Sequence, residues 1–236
     1  MFIVNLKTRL ALSLGAAASM VWPALAADPA HPTVIELFQS QGCSSCPPAD
    51  ANLNILAATR PDVLALNFAV TYWDQLGWKD TFAKPAFTKR QWDYAHFGSR
   101  QNVGTPQVII NGRTAVVGND LVQLRAAIQR SDRGNQGPEI SVRNGKVLIA
   151  AATGARPSLV WLVIYDPRVI NVPIRAGENG GRTIPHRNIV RSLVKLGVWN
   201  GHSAAFSIPR STTSILQSAV IIQGGLGGPI ISARHL

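Results

Sequence analysis

Between residues 33 and 130, near-continuous apolar runs alternate with amphipathic ones. TVIELFQS (33–40) and DVLALNFAV (62–70) have strand length and few polar breaks, the pattern of buried strands. Between them PPADANLNILAATR carries Ala49, Leu53, Leu56 and Ala57 at helical spacing. A second helix is predicted from about Pro85, with Phe87, Trp92, Tyr94 and Ala95 as candidates for its buried side. TPQVIING and RTAVVG read as two strands turning at Asn111-Gly112, and NDLVQLRAAIQR as a last helix with Asn119 or Asp120 placed to cap it. Strand, helix, strand implies a parallel pair with a right-handed crossover, to which the hairpin adds an antiparallel pair.

The pattern changes at SDRGNQGPE, a polar stretch rich in Gly and Pro that reads as a linker over residues 132–139. Beyond it come short β-branched runs separated by turn signals: ISVRNGKVLIAA, hinged at Asn144-Gly145, then LVWLVIYD, NIVRSLVKLGVW, LQSAVIIQ and PIISARHL. They predict a mainly antiparallel, sandwich-like domain over 140–236, behind an α/β domain over 31–131.

The first 26 residues follow neither pattern. Lys7 and Arg9 precede an apolar run over 10–21, and Ala24-Leu25-Ala26 ends it. This is the form of a secretory signal peptide, cleaved after Ala26. The run is shorter than the ~20 residues of a spanning helix, and no later segment is long and apolar enough, so no transmembrane segment is expected after signal removal. The predicted location is periplasmic or secreted. Net charge is +11, from 23 basic and 12 acidic residues. It is dispersed, with no run longer than Lys89-Arg90, which argues against nucleic acid as a partner.

Export bears directly on the two cysteines of the chain, Cys43 and Cys46. They stand in GCSSCPPAD, between the first strand and the first helix. At a helix start, free N–H groups and the positive dipole end lower the pKa of Cys43 and make it the attacking thiolate. Cys46, a turn later, resolves the mixed disulfide. Pro47 and Pro48 belong in the first turn and delay regular helix to about residue 47. Ser44 and Ser45 cap or hydrogen-bond the thiolate. Thr105 and Pro106 open a later strand, and a cis peptide there would pack beside the CxxC and shape the groove for an incoming chain.

GCSSCPPAD lies inside ELFQSQGCSSCPPADANL. With YWDQLGWKD, GTPQVIINGR and GENGGRTIPHRNIVR, that stretch resembles a family of secreted bacterial proteins known as domain of unknown function 1223. The resemblance spans nearly the whole mature chain. It implies an α/β thioredoxin-like fold followed by a β-rich C-terminal region, and it brings no assigned reaction. The family pattern leads one to expect an acid before Tyr72-Trp73-Asp74, where this chain has Thr71. Ser-Ser between the cysteines differs from thioredoxin, so redox poise does not carry over.

Three readings of the pair stay open: thiol–disulfide exchange with protein thiols or disulfides in an oxidising compartment, a static disulfide in a non-enzymatic binding module, and a copper(I) or zinc site completed by a histidine. No separate metal site and no cofactor is implied. Trp73 and Asp74 are candidates for the groove, one as apolar lip and the other as a carboxylate acting on a thiol proton. In the glycine-rich stretch 175–191, Glu178, Asn179, Arg182 and His186 are candidates for a second site, facing the dithiol or an anionic ligand.

Overall fold

The computed structural model describes residues 26–209 and 214–236. The predicted signal segment, up to residue 25, lies outside the described residues. In chain order the elements are β1 (Thr33–Gln39), α1 (Pro47–Thr59), β2 (Val63–Ala69), α2 (Pro85–Phe97), β3 (Gln107–Ile110), β4 (Thr114–Val116) and α3 (Leu121–Arg130). Then follow β5 (Ile140–Arg143), β6 (Lys146–Ile149), β7 (Ser158–Asp166), β8 (Ile170–Pro173), β9 (Thr183–His186), β10 (Ile189–Trp199), β11 (Ala204–Ser207), β12 (Gln217–Gln223) and β13 (Ile230–His235).

Eight strands form one mixed sheet in the order β13-β12-β7-β10-β2-β1-β3-β4. β1 and β2 run parallel, in register from Thr33↔Val63 to Gln39↔Ala69, as the crossover through α1 requires. β10 meets β2 in parallel at Ile189↔Asn67 and then becomes the antiparallel partner of β7. This corrects the expected fold class. The molecule is mostly β, with thirteen strands and three short helices among the described residues. It is not an α/β thioredoxin-like domain followed by a separate sandwich-like one. The local patterns of residues 33–130 do produce their elements. What they do not carry is the long-range edge: β10 occupies the free side of β2, so strands from either side of residues 132–139 share one sheet.

Side-chain alternation along β1 and β2 sorts the core into two faces. Val34, Phe38, Leu64, Leu66 and Phe68 pack with Phe87 and Tyr94 of α2. On the other face Ile35, Leu37, Val63 and Ala65 pack with Leu53 and Leu56 of α1 and Leu124 and Ile128 of α3. Burying a side chain of this size contributes about 1.5–3 kcal/mol, so packing rather than intrinsic propensity holds these helices. The expected buried side of α2 needs one change. Arg90 and Gln91 are buried, while Trp92 is half-buried against His96. Asp120 caps α3 by accepting from the Gln123 N–H.

A second layer, β11-β6-β5, packs Val147 and Ile149 against Val160, Leu162, Trp199 and Val220 of the large sheet. The β8–β9 hairpin does something else. Its Val172 and Ile184, with Ile174 just beyond β8, pack on Trp78 and Phe82 of the loop after β2. Asn54 of α1 donates to the Pro185 carbonyl at 2.9 Å. The hairpin and its 174–182 turn are thereby brought to the N-terminal end of α1. Among the described residues no helix is long and apolar enough to cross a membrane.

Candidate functional site

Cys43 and Cys46 form a disulfide, with Cα atoms 5.4 Å apart. β1 delivers the chain to a tight turn in which the Cys43 N–H donates to the Ser40 carbonyl and the Cys46 N–H to the Cys43 carbonyl. Helix α1 begins after it, at Pro47, and the N-cap is Cys46. Cys43 therefore stands one turn ahead of the helix rather than on its first residue. The helix terminus has little to offer a sulfur. Pro47 and Pro48 have no N–H, and the N–H groups of Ala49 and Asp50 both donate to the Cys46 carbonyl. Cys43 Sγ lies 3.8 Å from the Thr105 carbonyl oxygen, an acceptor that favours a protonated thiol over a thiolate once the pair is reduced.

Two loops cover the pair, and each cysteine is only 1% exposed. The first runs over residues 71–80. Its Trp73 donates from Nε1 to Thr105 Oγ1 at 2.8 Å, and its Trp78 from Nε1 to Gln41 Oε1 at 2.9 Å. The second is the 174–182 turn. Asn179, fully buried, donates from Nδ2 to the carbonyls of Gln41 and Cys43, both at 2.9 Å. Arg182 holds Asn179 in place through its Oδ1 at 2.9 Å. The Glu178 carboxylate accepts from the Ser44 N–H at 3.0 Å, and that hydrogen bond holds its pKa below the usual carboxylate range. The loops cross at two glycines with positive φ, Gly77 (100°) and Gly177 (71°); a Cβ on Gly77 would lie 3.3 Å from the Gly177 Cα.

A polar cluster lies against the sheet face of α1. Asp50 Oδ1 accepts from Asn67 Nδ2 at 2.8 Å and lies 3.1 Å from His186 Nδ1. Gln39 Nε2 donates to Asn67 Oδ1 at 3.0 Å. Burial opposes charge on His186, but Asp50 and, further off, Asp80 outweigh it and raise its pKa above the usual imidazole value. Asp50 Oδ2, His186 Nε2 and Gln39 Oε1 are buried without a hydrogen-bond partner. Burial also pushes the Asp80 carboxyl up, against the N–H groups of Gln41 and Phe82 that donate to it at 2.7 and 2.8 Å.

The Thr105–Pro106 peptide is cis. Beside it opens a groove of about 540 Å³ lined by Ser45, Thr105, Pro106, Arg100 and Val117 among others. Ser44 and Ser45 are exposed, Pro106 is buried and Thr105 is half-buried. Asp74 serves its own loop, accepting the Asp80 N–H at 3.1 Å. Glu178 and Asn179 touch the CxxC turn directly, Arg182 acts through Asn179, and His186 through Asp50 on the helix that follows. Among the described residues no group of three His, Cys, Asp or Glu side chains is arranged to hold a metal.

A family profile described as "Protein of unknown function (DUF1223)" matches residues 34–223. The chain belongs to that family. The DUF1223 match begins at the second residue of β1 and ends at the last residue of β12, so it includes both the CxxC turn and the loop that covers it. A crystal structure of a protein from Agrobacterium tumefaciens is similar at 30% identity and a TM-score of 0.71, over 88% of this chain and 94% of that one. HBP35 of Porphyromonas gingivalis is similar in fold, with a TM-score of 0.62 at 10% identity, over 88% of this chain and 75% of that one. No curated protein matches the chain.

Asp50, Asp80, Gln41 and Arg100 belong to the site and were not singled out from the sequence. For Asp50 a signal existed: an acid one turn after Cys46, on a helix whose neighbouring positions are apolar, needs a buried partner.

Proposed function

We propose that the chain is an exported thiol–disulfide exchange protein working through Cys43 and Cys46. The observation that supports this most is the juxtaposition of their disulfide with Thr105–Pro106 at the end of an open groove. In the exchange, a substrate thiolate attacks Cys43 Sγ. The Cys43–Cys46 bond breaks, Cys46 leaves as thiolate and takes up a proton, and a mixed disulfide joins Cys43 to the substrate. A second substrate thiolate attacks the substrate sulfur of that bond, forms the substrate disulfide and releases Cys43. Two electrons pass from substrate to protein, and the same steps in reverse reduce a substrate disulfide. Export rests on the leader pattern of residues 1–26, and an oxidising compartment suits a paired resting state.

The test is a trap. Reduced Cys46→Ser protein, mixed with a disulfide-bonded model peptide, should hold a mixed disulfide at Cys43, visible as a mass adduct that reductant removes. Cys43→Ser should give no such adduct. If Cys46→Ser also forms none while the denatured variant does, exchange is not the function.

A second reading is favoured by the burial of both cysteines and by the Glu178 and Asn179 contacts over them: a static clip that fixes the turn between β1 and α1. It predicts a pair that reductants reach only on unfolding.

A further inference from the structure

Strand β4 is the last strand of the large sheet, so its outward backbone N–H and C=O groups have no sheet partner. Along it run two depressions. One is the groove of about 540 Å³ that starts at Ser45, Thr105 and Pro106. The other, about 590 Å³, lies further along, between Phe97 at the end of α2, Arg113 in the hairpin turn and Pro229. Arg100 and Ala115 line both, so the two depressions adjoin as a trough along β4.

The trough has a distinct chemistry. Neither lining includes an acidic side chain, while Arg100 and Arg113 both contribute to it. Neither arginine has an acid partner among the described residues. Arg100 is half-buried, and its Nε is buried with no hydrogen-bond partner. A guanidinium without an acid partner can take a carboxylate through its terminal nitrogens in the two-pronged manner that Lys does not reproduce. Two apolar side chains stand exposed at the trough, Phe97 at 57% and Val117 at 54%. Ala115, which lines both depressions, adds only a methyl group to them.

We infer that this trough binds an extended acidic segment of a polypeptide substrate, with carboxylates on Arg100 and Arg113 and backbone pairing to β4. Strand addition supplies affinity through the main chain, and the side-chain positions supply selection. The end at Thr105–Pro106 places the segment beside Cys43. Only that last feature rests on the exchange reading; the selection of acids does not.

The experiment reads binding without chemistry. Oxidised full-length protein is titrated into two fluorescent, cysteine-free ten-residue peptides, one alternating Glu with Val and the other Lys with Val, and anisotropy is followed. The Glu peptide should bind at least about tenfold more tightly. Arg100→Ala should remove most of that preference. Arg113→Glu, at an exposed position that leaves the core untouched, should weaken the Glu peptide and strengthen the Lys peptide. Equal binding of the two peptides, or a preference that survives both substitutions, overturns the inference. If exchange fails in the trapping experiment while the Glu preference holds, the trough stands and the redox reading falls.

Discussion

Two buried polar clusters are built on the same pair of strands, one on each face, and they are completed differently. On the α2 face, Glu36 in the middle of β1 receives both prongs of Arg90, at 2.8 and 3.1 Å, and the Tyr94 hydroxyl donates to it as well. Arg90 reaches Gln223 of β12 at 3.3 Å and lies over the rings of Phe68, Tyr94 and Trp161. On the α1 face, Asp50, His186, Asn67 and Gln39 share fewer bonds, and three of their buried atoms have none. The first cluster is closed and ties α2 to β1 and β12. The second has hydrogen-bonding capacity to spare, and it lies on the helix whose N-cap is Cys46 and against the hairpin whose loop covers Cys43. Structural polar groups in cores are ordinarily satisfied. The incomplete cluster is the one next to the candidate chemistry.

The sharpest way to break this comparison is to open the closed cluster. Arg90→Met leaves Glu36 buried without its cation and should cost about 3–5 kcal/mol, read by denaturant unfolding. Adding Glu36→Gln to the same chain should recover a large part of that loss, because no uncompensated charge remains. A cost for Arg90→Met no greater than that of a surface change would show that the pair does not organise the core.

Asp50→Asn is expected to cost less, about 1–3 kcal/mol, because only part of that cluster is bonded. Its pH signature separates it from the Glu36 cluster. The folded-state pKa of His186 is raised, so its contribution to stability is complete below the unfolded value of about 6.5 and is lost as pH rises through the folded value. Unfolding measured across that window should show stability falling with pH, and His186→Gln should flatten the fall. Burial raises Asp80 as well, and it faces His186, so Asp80→Asn in the same measurement assigns its share of the pH dependence.

The elements that build the site were legible in the sequence where the signal is local. β1, α1, β2 and β3 fall where apolar runs and helical spacing put them, and Asn111-Gly112 turns with both φ values positive, at 48° and 65°. The fold class was not, because it depends on β10 finding the edge of β2, and Ile189 carries no mark that names Asn67 as its partner. Glu178, Asn179, Arg182 and His186 stood out by composition, but their approach to the CxxC turn comes from the β8–β9 hairpin packing on Trp78 and Phe82. Glu36 shows what local reading can still recover. An acid amid the apolar residues of β1 demands a buried cation, and Arg90 sits among the aromatic residues of α2.

The smallest expected effect belongs to the cover itself. Glu178 places a carboxylate on the N–H between the cysteines, where negative charge disfavours a thiolate. In the reduced protein, Glu178→Gln should speed alkylation of Cys43 on the order of twofold at neutral pH. No change would mean that the loop covers the sulfur without tuning it.

The reduction potential of Cys43–Cys46 in the folded protein tests the central claim most directly, by equilibration in glutathione and dithiothreitol buffers. Among the described residues no hydrogen bond is donated to either sulfur, so the reduced form gains little and the potential should lie at the reducing end of the exchange range. The predicted value is roughly −230 to −270 mV. A value below about −300 mV, with the pair reduced only when the protein unfolds, would contradict exchange and leave the disulfide as a clip between β1 and α1.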